Sequence, residues 1–298
     1  MKHLRITILI VGVWATLASA AENPDLWRLV AKSHTIVTGR LTVPVDQIRE
    51  AIASGEGRYV NITVTETRAV KRTHPTSPVV VVYWTEPSTY EPPSSLLDKL
   101  NGKEAILFLT QSDEAGPNSF FTRAPDALQA FSPEGLAAVE AEVKAQEAIL
   151  KGYQRPGIKG AEFRRVRRLV DSTTHPERAE EALSELQSLG KESVPAMIHL
   201  MDDRRSLTIK EIAVQNPPGH WEGLAHYKPQ CVVDLMSILL GRVTGESFSD
   251  IYNDGSERER AAAVDAWRIY LHYSTIESEA ERSSGDGIPK QSLGTSGM

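Results

Sequence analysis

The stretch Tyr59-Val60-Asn61-Ile62-Thr63-Val64-Thr65 decides how the first half of this chain is read. Val60, Ile62 and Val64 alternate with polar neighbours, the period of a strand with one face buried. Working outward, residues 35–43 supply an earlier strand in which Gly39 marks a bulge or bend. Val79-Val80-Val81-Val82-Tyr83-Trp84 is a continuous β-branched run, buried on both faces or central in a sheet. Residues 104–109 read as a fourth strand and residues 119–122 as a short fifth, with turn-rich pieces between, notably 85–95 with Pro87, Pro92 and Pro93. Five strands with no long helices between them predict an antiparallel sheet or barrel, because parallel neighbours need crossovers.

The period then changes. Ser132-Pro133-Glu134 is a helix start, with a capping serine, proline at the first helical position and an acid in the first turn. Leu136, Val139, Val143 and Leu150 form one stripe up to Gly152, and residues 152–160, with Pro156 and Gly157, are the expected domain boundary. Phe163, Val166, Leu169 and Val170 mark the next helix, which leaves Arg164, Arg165, Arg167 and Arg168 as a solvated face. His175-Pro176-Glu177 opens a helix carrying Ala182, Leu186 and Leu189 inward, ended by Gly190, and Val194, Met197, Ile198 and Met201 line the one after it. Residues 232–240 are apolar on nearly all sides and predict a central buried helix that stops at Gly241. Val264, Trp267 and Leu271 place one face of a last helix, over 257–273, against it.

The chain has 298 residues, 41% hydrophobic and 24% charged, a globular composition long enough for about two domains. It opens with Met1-Lys2-His3-Leu4-Arg5, an apolar run over 6–17, and Ala18-Ser19-Ala20. This is the pattern of a signal segment cleaved after Ala20, with an apolar run shorter than a membrane span needs. The expectation is an exported protein of bacterial type, periplasmic or secreted, without a membrane span once processed. The first twenty residues hold Lys2 and Arg5 and no acid, leaving 31 basic against 39 acidic residues. That acidic balance argues against nucleic acid as a partner. A single cysteine, Cys231, excludes an internal disulfide, and its apolar setting predicts a buried, inert thiol.

Two resemblances add to this reading. Ser33-His34-Thr35-Ile36-Val37-Thr38-Gly39-Arg40, followed by the Tyr59 strand and by Leu100-Asn101-Gly102-Lys103-Glu104-Ala105-Ile106-Leu107-Phe108-Leu109, resembles the OB-type barrel of netrin-like and tissue-inhibitor-like modules. The likeness covers residues 33–123 and implies an OB-like barrel. The inhibitors of that type chelate zinc through an N-terminal cysteine and carry disulfides. This chain has neither, since its processed start is Ala21, so their mechanism is not implied. Gly190-Lys191-Glu192-Ser193-Val194-Pro195-Ala196-Met197-Ile198 resembles the turn of a HEAT repeat, a family that stacks helix pairs into protein-binding surfaces. The expected class is therefore α+β in two domains: a signal segment (1–20), an antiparallel five-stranded OB-like β-barrel (21–125), a linking helix (126–152), an all-α HEAT-like domain (161–275) and a disordered tail (276–298).

Candidate chemistry is sparse. Ser188-Leu189-Gly190-Lys191 fits Ser-x-x-Lys by letter, but the expected helix end falls between the two side chains that would have to cooperate. Asp250, Asn253, Asp254 and Glu257 suggest a calcium loop, yet Tyr252 and Ala261 stand where oxygen donors are needed. Asn61-Ile62-Thr63 spells a glycosylation acceptor in mid-strand. His220, Trp221, His226 and Tyr227, in and after the loop opened by Asn216-Pro217-Pro218-Gly219, are the candidate binding residues. The leading expectation is a non-enzymatic exported binding or scaffold protein that meets a protein partner and carries no cofactor. The alternative is a metal-dependent hydrolase with its site in the 216–227 loop.

Overall fold

The computed structural model describes residues 25–55, 57–72, 78–85, 94–111, 119–122, 124–154, 160–215, 224–248, 251, 253 and 255–285. In chain order the first elements are α1 (Leu26–Lys32), β1 (Thr35–Thr42), α2 (Val45–Ser54), β2 (Tyr59–Lys71), β3 (Val79–Trp84), α3 (Ser94–Leu100), β4 (Glu104–Gln111), β5 (Ser119–Phe121), β6 (Leu128–Ala130) and α4 (Pro133–Gly152). There follow α5 (Ala161–Thr173), α6 (Ala179–Gln187), a single 3₁₀ turn, α7 (Val194–His199), β7 (Ile212–Gln215), β8 (Leu224–Tyr227), α8 (Val232–Thr244) and α9 (Glu257–Gly285).

Five strands close a barrel in the order β1-β2-β3-β5-β4, with β4 returning to β1 and β6 added along β4. The barrel is mixed, not antiparallel as expected, because β3 and β5 run parallel through Val80–Ser119, Val81–Phe120 and Val82–Phe121. The chain between them is long enough to cross over, passing through α3 and β4 before it returns. At Gly39 the expected bulge is present as a register shift between Thr38 and Arg40. A Cβ there would stand 2.7 Å from Val64 Cγ1 and 2.8 Å from the Thr65 carbonyl, so only glycine allows β2 this close. Three short elements went unread in the sequence: α2, α3 and β6. Leu97 and Leu100 of α3 plug one end of the barrel beside Leu41, Val60 and Leu107.

The strands covered on both faces are β1 and β4, whereas β3 alternates between buried and half-buried residues. Val37, Leu107 and Leu109 point into the barrel. Their neighbours Ile36, Ile106 and Phe108 point outward, under Leu29 and Val30 of α1 and Leu136, Val139 and Val143 of α4. That second layer explains the unbroken apolar run in β4. The α4 start is as read, with Ser132 Oγ accepting from the Gly135 N–H at 3.0 Å.

Beyond α4 the core is helical but the region is not all-α. The antiparallel hairpin β7–β8 interrupts it, turning Ile212 and Val214 into the same core as α5, α6, α7, α8 and α9. Ile212 and Val214 alternate with Ala213 and Gln215, the period of a strand and not of a helix. Helix α5 packs on both α6 and α7. α6 gives way at Ser188, short of the expected Gly190, whose backbone is extended. The central helix runs through Gly241 and stops at Gly245, where φ is +77° and an L side chain would be strained. α9 continues to Gly285, so residues 276–285 are helical and not part of a disordered tail. Glu, Ala and Arg there favour helix without needing a buried stripe.

The first helix crosses the expected division. Although α1 precedes the barrel, Trp27 and Ala31 belong to the helical core. The Trp27 ring stacks on Tyr273 at 4.7 Å and 11°, and Arg28 Nε meets Glu246 at 2.8 Å. Among the described residues no helix is long and apolar enough to cross a membrane.

Candidate functional site

Of the four residues singled out in the sequence, His220 and Trp221 lie outside the described residues. His226 and Tyr227 are neighbours on β8 and face opposite ways, as strand geometry requires. His226 is exposed and its Nδ1 lies 3.0 Å from Glu211 Oε1, while Tyr227 turns against the helical core. The structure therefore brings together one histidine and one carboxylate. Among the described residues no group of three His, Cys, Asp or Glu converges on a point that could hold a metal ion.

Cys231 and Asp234 open α8 as a structural unit. Burial, and then the Asp234 carboxylate, push the Cys231 thiol up to about 11, so the thiolate needed for nucleophilic chemistry is not formed near neutral pH. Asp234 is fully buried and accepts from the Gln230 and Cys231 N–H groups at 3.0 and 3.2 Å and from Arg260 Nε at 2.8 Å. The chain's one cysteine cannot form an internal disulfide.

A second polar group lies where β2, α1, α4 and α9 meet. Lys71 is half-buried as a residue, but its ammonium turns inward and donates to the carbonyls of Val30 and Ser33 at 2.5 and 2.8 Å, capping the end of α1. Burial, then the neighbouring Arg72 cation, bring its pKa down to about 7. Tyr273 donates to Glu142 Oε1 at 2.9 Å, and Gln146 Nε2 donates to the same carboxylate at 2.8 Å and to the Trp27 carbonyl at 2.8 Å. These contacts weld the barrel to the helices. Lys71 and Gln146 hold backbone carbonyls, and the Glu142 carboxylate is held in turn by Tyr273 and Gln146.

The surface feature that sequence reading missed is an aromatic row on the barrel. Tyr59, the first residue of β2, is 66% exposed. It pairs across the ladder with Trp84 of β3, ring centroids 4.7 Å apart at 52°, and lies 6.5 Å from Phe121 of β5. Asn61 and Val82, directly opposite each other, share the same outward face, and Val82 pairs in turn with Phe121. The row carries no charge, in a chain where 24% of residues are charged. A signal was present: in the Tyr59 strand an aromatic occupies the polar phase of the alternation, the phase that points away from the core.

These features define a mixed α/β protein with a closed five-stranded barrel docked on helices. No family model matches the chain, and neither does any curated protein or solved structure.

Proposed function

We propose that this chain is an exported, non-enzymatic binding protein that meets a protein partner through the outer face of β2, β3 and β5. The observation that carries the reading is the uncharged row of Tyr59, Trp84 and Phe121 on a rigid barrel wall. Tyrosine and tryptophan are enriched, and charged residues depleted, at the centres of protein interfaces. A phosphate backbone would need cations in the row, and Tyr59, Asn61, Val82, Trp84 and Phe121 supply none. Export rests on the signal pattern of residues 1–20. The strand order, with β1 shared between β2 and β4 and a helix between β3 and β4, supports an OB-type barrel. The helical half is read as a HEAT-like support with α5 as the helix its neighbours pack on.

The test uses immobilised full-length protein and envelope extract, comparing wild type with Tyr59→Ala/Trp84→Ala. Loss of two anchors at the centre of an interface weakens binding by at least roughly 30-fold, so a partner held by wild type should be lost from the variant and kept by His220→Ala/His226→Ala. Full retention by the barrel variant would overturn the reading.

The metal-dependent alternative has its own measurement. On the binding reading, untagged full-length protein carries no stoichiometric zinc. Zinc at one equivalent, lost in His220→Ala/His226→Ala, would instead support a hydrolase with its site in the 216–227 loop.

A further inference from the structure

The seam between the barrel and the last helix buries an imidazole whose ring nitrogens make no hydrogen bond among the described residues. His34 directly precedes β1, is 6% exposed, and neither ring nitrogen has a hydrogen-bond partner. Buried polar groups are almost always paired, so an orphaned ring calls for an account. Cations approach it from two elements: Lys71 and Arg72 at the end of β2, and Arg258 in the first turn of α9. Arg258 Nη1 donates to Gln111 Oε1 at 2.6 Å, and the Gln111 backbone is the one polar group near the ring that favours its charged form. The carboxylates stand behind the cations. Asp265 of α9 is 4.0 Å from Arg72, and Glu142 and Glu147 of α4 face Lys71. A proton on His34 would thus add positive charge to a buried group of cations, with only the Gln111 backbone to favour it.

We infer that His34 is an acid-sensing element of this seam, and that acidification loosens the ends of β1 and β2 from α9 before it affects the rest of the fold. Burial, then Arg72, hold the imidazole down at about 4, against about 6.5 in an unfolded chain. A base lowered in the folded state contributes stability that is complete above about pH 6.5 and is lost as pH falls toward 4. Lys71, brought down to about 7, is charged in folded and unfolded chains alike through most of that window, so it maintains the positive field and adds a slope of the same sign only near pH 7. Glu142 and Asp265, both raised by burial, gain protons in the folded state and act in the opposite sense. His272, lowered by burial, is the other histidine able to give a slope of the same sign. On the export reading above, the chain would meet acid directly, with no buffered interior around it.

Denaturant midpoints of the full-length protein between pH 7 and 4 test this, with wild type, His34→Gln and His272→Gln compared, and hydrogen exchange read at each end. The gap between about 4 and 6.5 bounds the His34 effect on the folding equilibrium at roughly 300-fold. His34→Gln should flatten most of the wild-type slope and His272→Gln little of it. Exchange at pH 5 should quicken first over residues 35–42, 66–71 and 257–268. The ring resonances of His34 in wild type supply a reading that needs no variant, which matters if His34→Gln does not fold. A ring that titrates near 6.5, a slope unchanged in a folded His34→Gln, or acid-induced exchange spread evenly over the chain would each overturn the inference.

Discussion

Trp267→Ala should lower the melting temperature of the full-length protein by roughly 10–15 °C. The side chain is fully buried and is the largest such side chain in the core. It is held by rings on two sides, Phe248 at 4.8 Å and Tyr270 at 5.4 Å, both near edge-to-face. Its indole N–H donates to Ser237 Oγ at 3.2 Å, which fixes α9 against α8. Truncation removes that packing, leaves a cavity the neighbours cannot fill, and deletes the bond between the indole N–H and Ser237. Such losses cost about 3–5 kcal/mol, and about 2–4 °C per kcal/mol is usual for a chain of this size. Thermal unfolding followed by tryptophan fluorescence and circular dichroism checks it. A shift below about 3 °C would mean that the α8–α9 contact is not a main support of the helical half.

Asp234→Ala should destabilise by a similar amount, for an electrostatic reason. Arg260 has a side chain only 10% exposed, and its Nε and Nη2 sit 2.8 and 3.0 Å from the Asp234 carboxylate oxygens. Removing the carboxylate leaves a guanidinium in the core with the exposed Glu257 carboxylate at 3.2 Å and the Gln230 amide oxygen at 3.4 Å, and uncaps α8 as well. Breaking one side of a buried pair costs about 3–5 kcal/mol, whereas replacing both partners with apolar residues of similar volume is often neutral. Urea unfolding of Asp234→Ala and of Asp234→Leu/Arg260→Met separates the two effects. The single variant should lose several kcal/mol and the double variant should recover most of it. A double variant as weak as the single would show that the N-terminal capping of α8, and not the stranded charge, carries the cost.

The core strands were legible because alternation and β-branching are local. Val60, Ile62 and Val64 face inward as read, as do Val264 and Trp267 on the last helix. What escaped was set by partners distant in sequence. Nothing in Val80 to Val82 says that Ser119 to Phe121 will arrive parallel. Val79 to Trp84 looked more buried than β4, yet the helices α1 and α4 chose β4 to cover. The alternation over 207–214 reads as an extended piece, but nothing in it says that residues 224–227 will pair with it as β8. The aromatic row was likewise invisible as a row, since Tyr59, Trp84 and Phe121 come from three strands and meet only once those strands pair. His34 drew no notice either, because its orphaned ring is a property of the seam and not of its neighbours in sequence.

The placement of Trp27 in the helical core has a consequence for the order of assembly. A segment that leaves the ribosome early must wait for one that leaves late: Arg28 and Glu246 are 218 positions apart, and the rings that close on Trp27 include Tyr270 and Tyr273. A barrel can close while the remainder of the chain is still being delivered, but its leading helix then has nothing to rest on, and an apolar tryptophan stays uncovered through that interval. Contacts of such long reach slow folding, because the loop must be closed before they can hold. The two helices, α1 and α9, thus act as a completion check: a molecule extended through Tyr273 covers Trp27, and a product truncated before Tyr270 displays it.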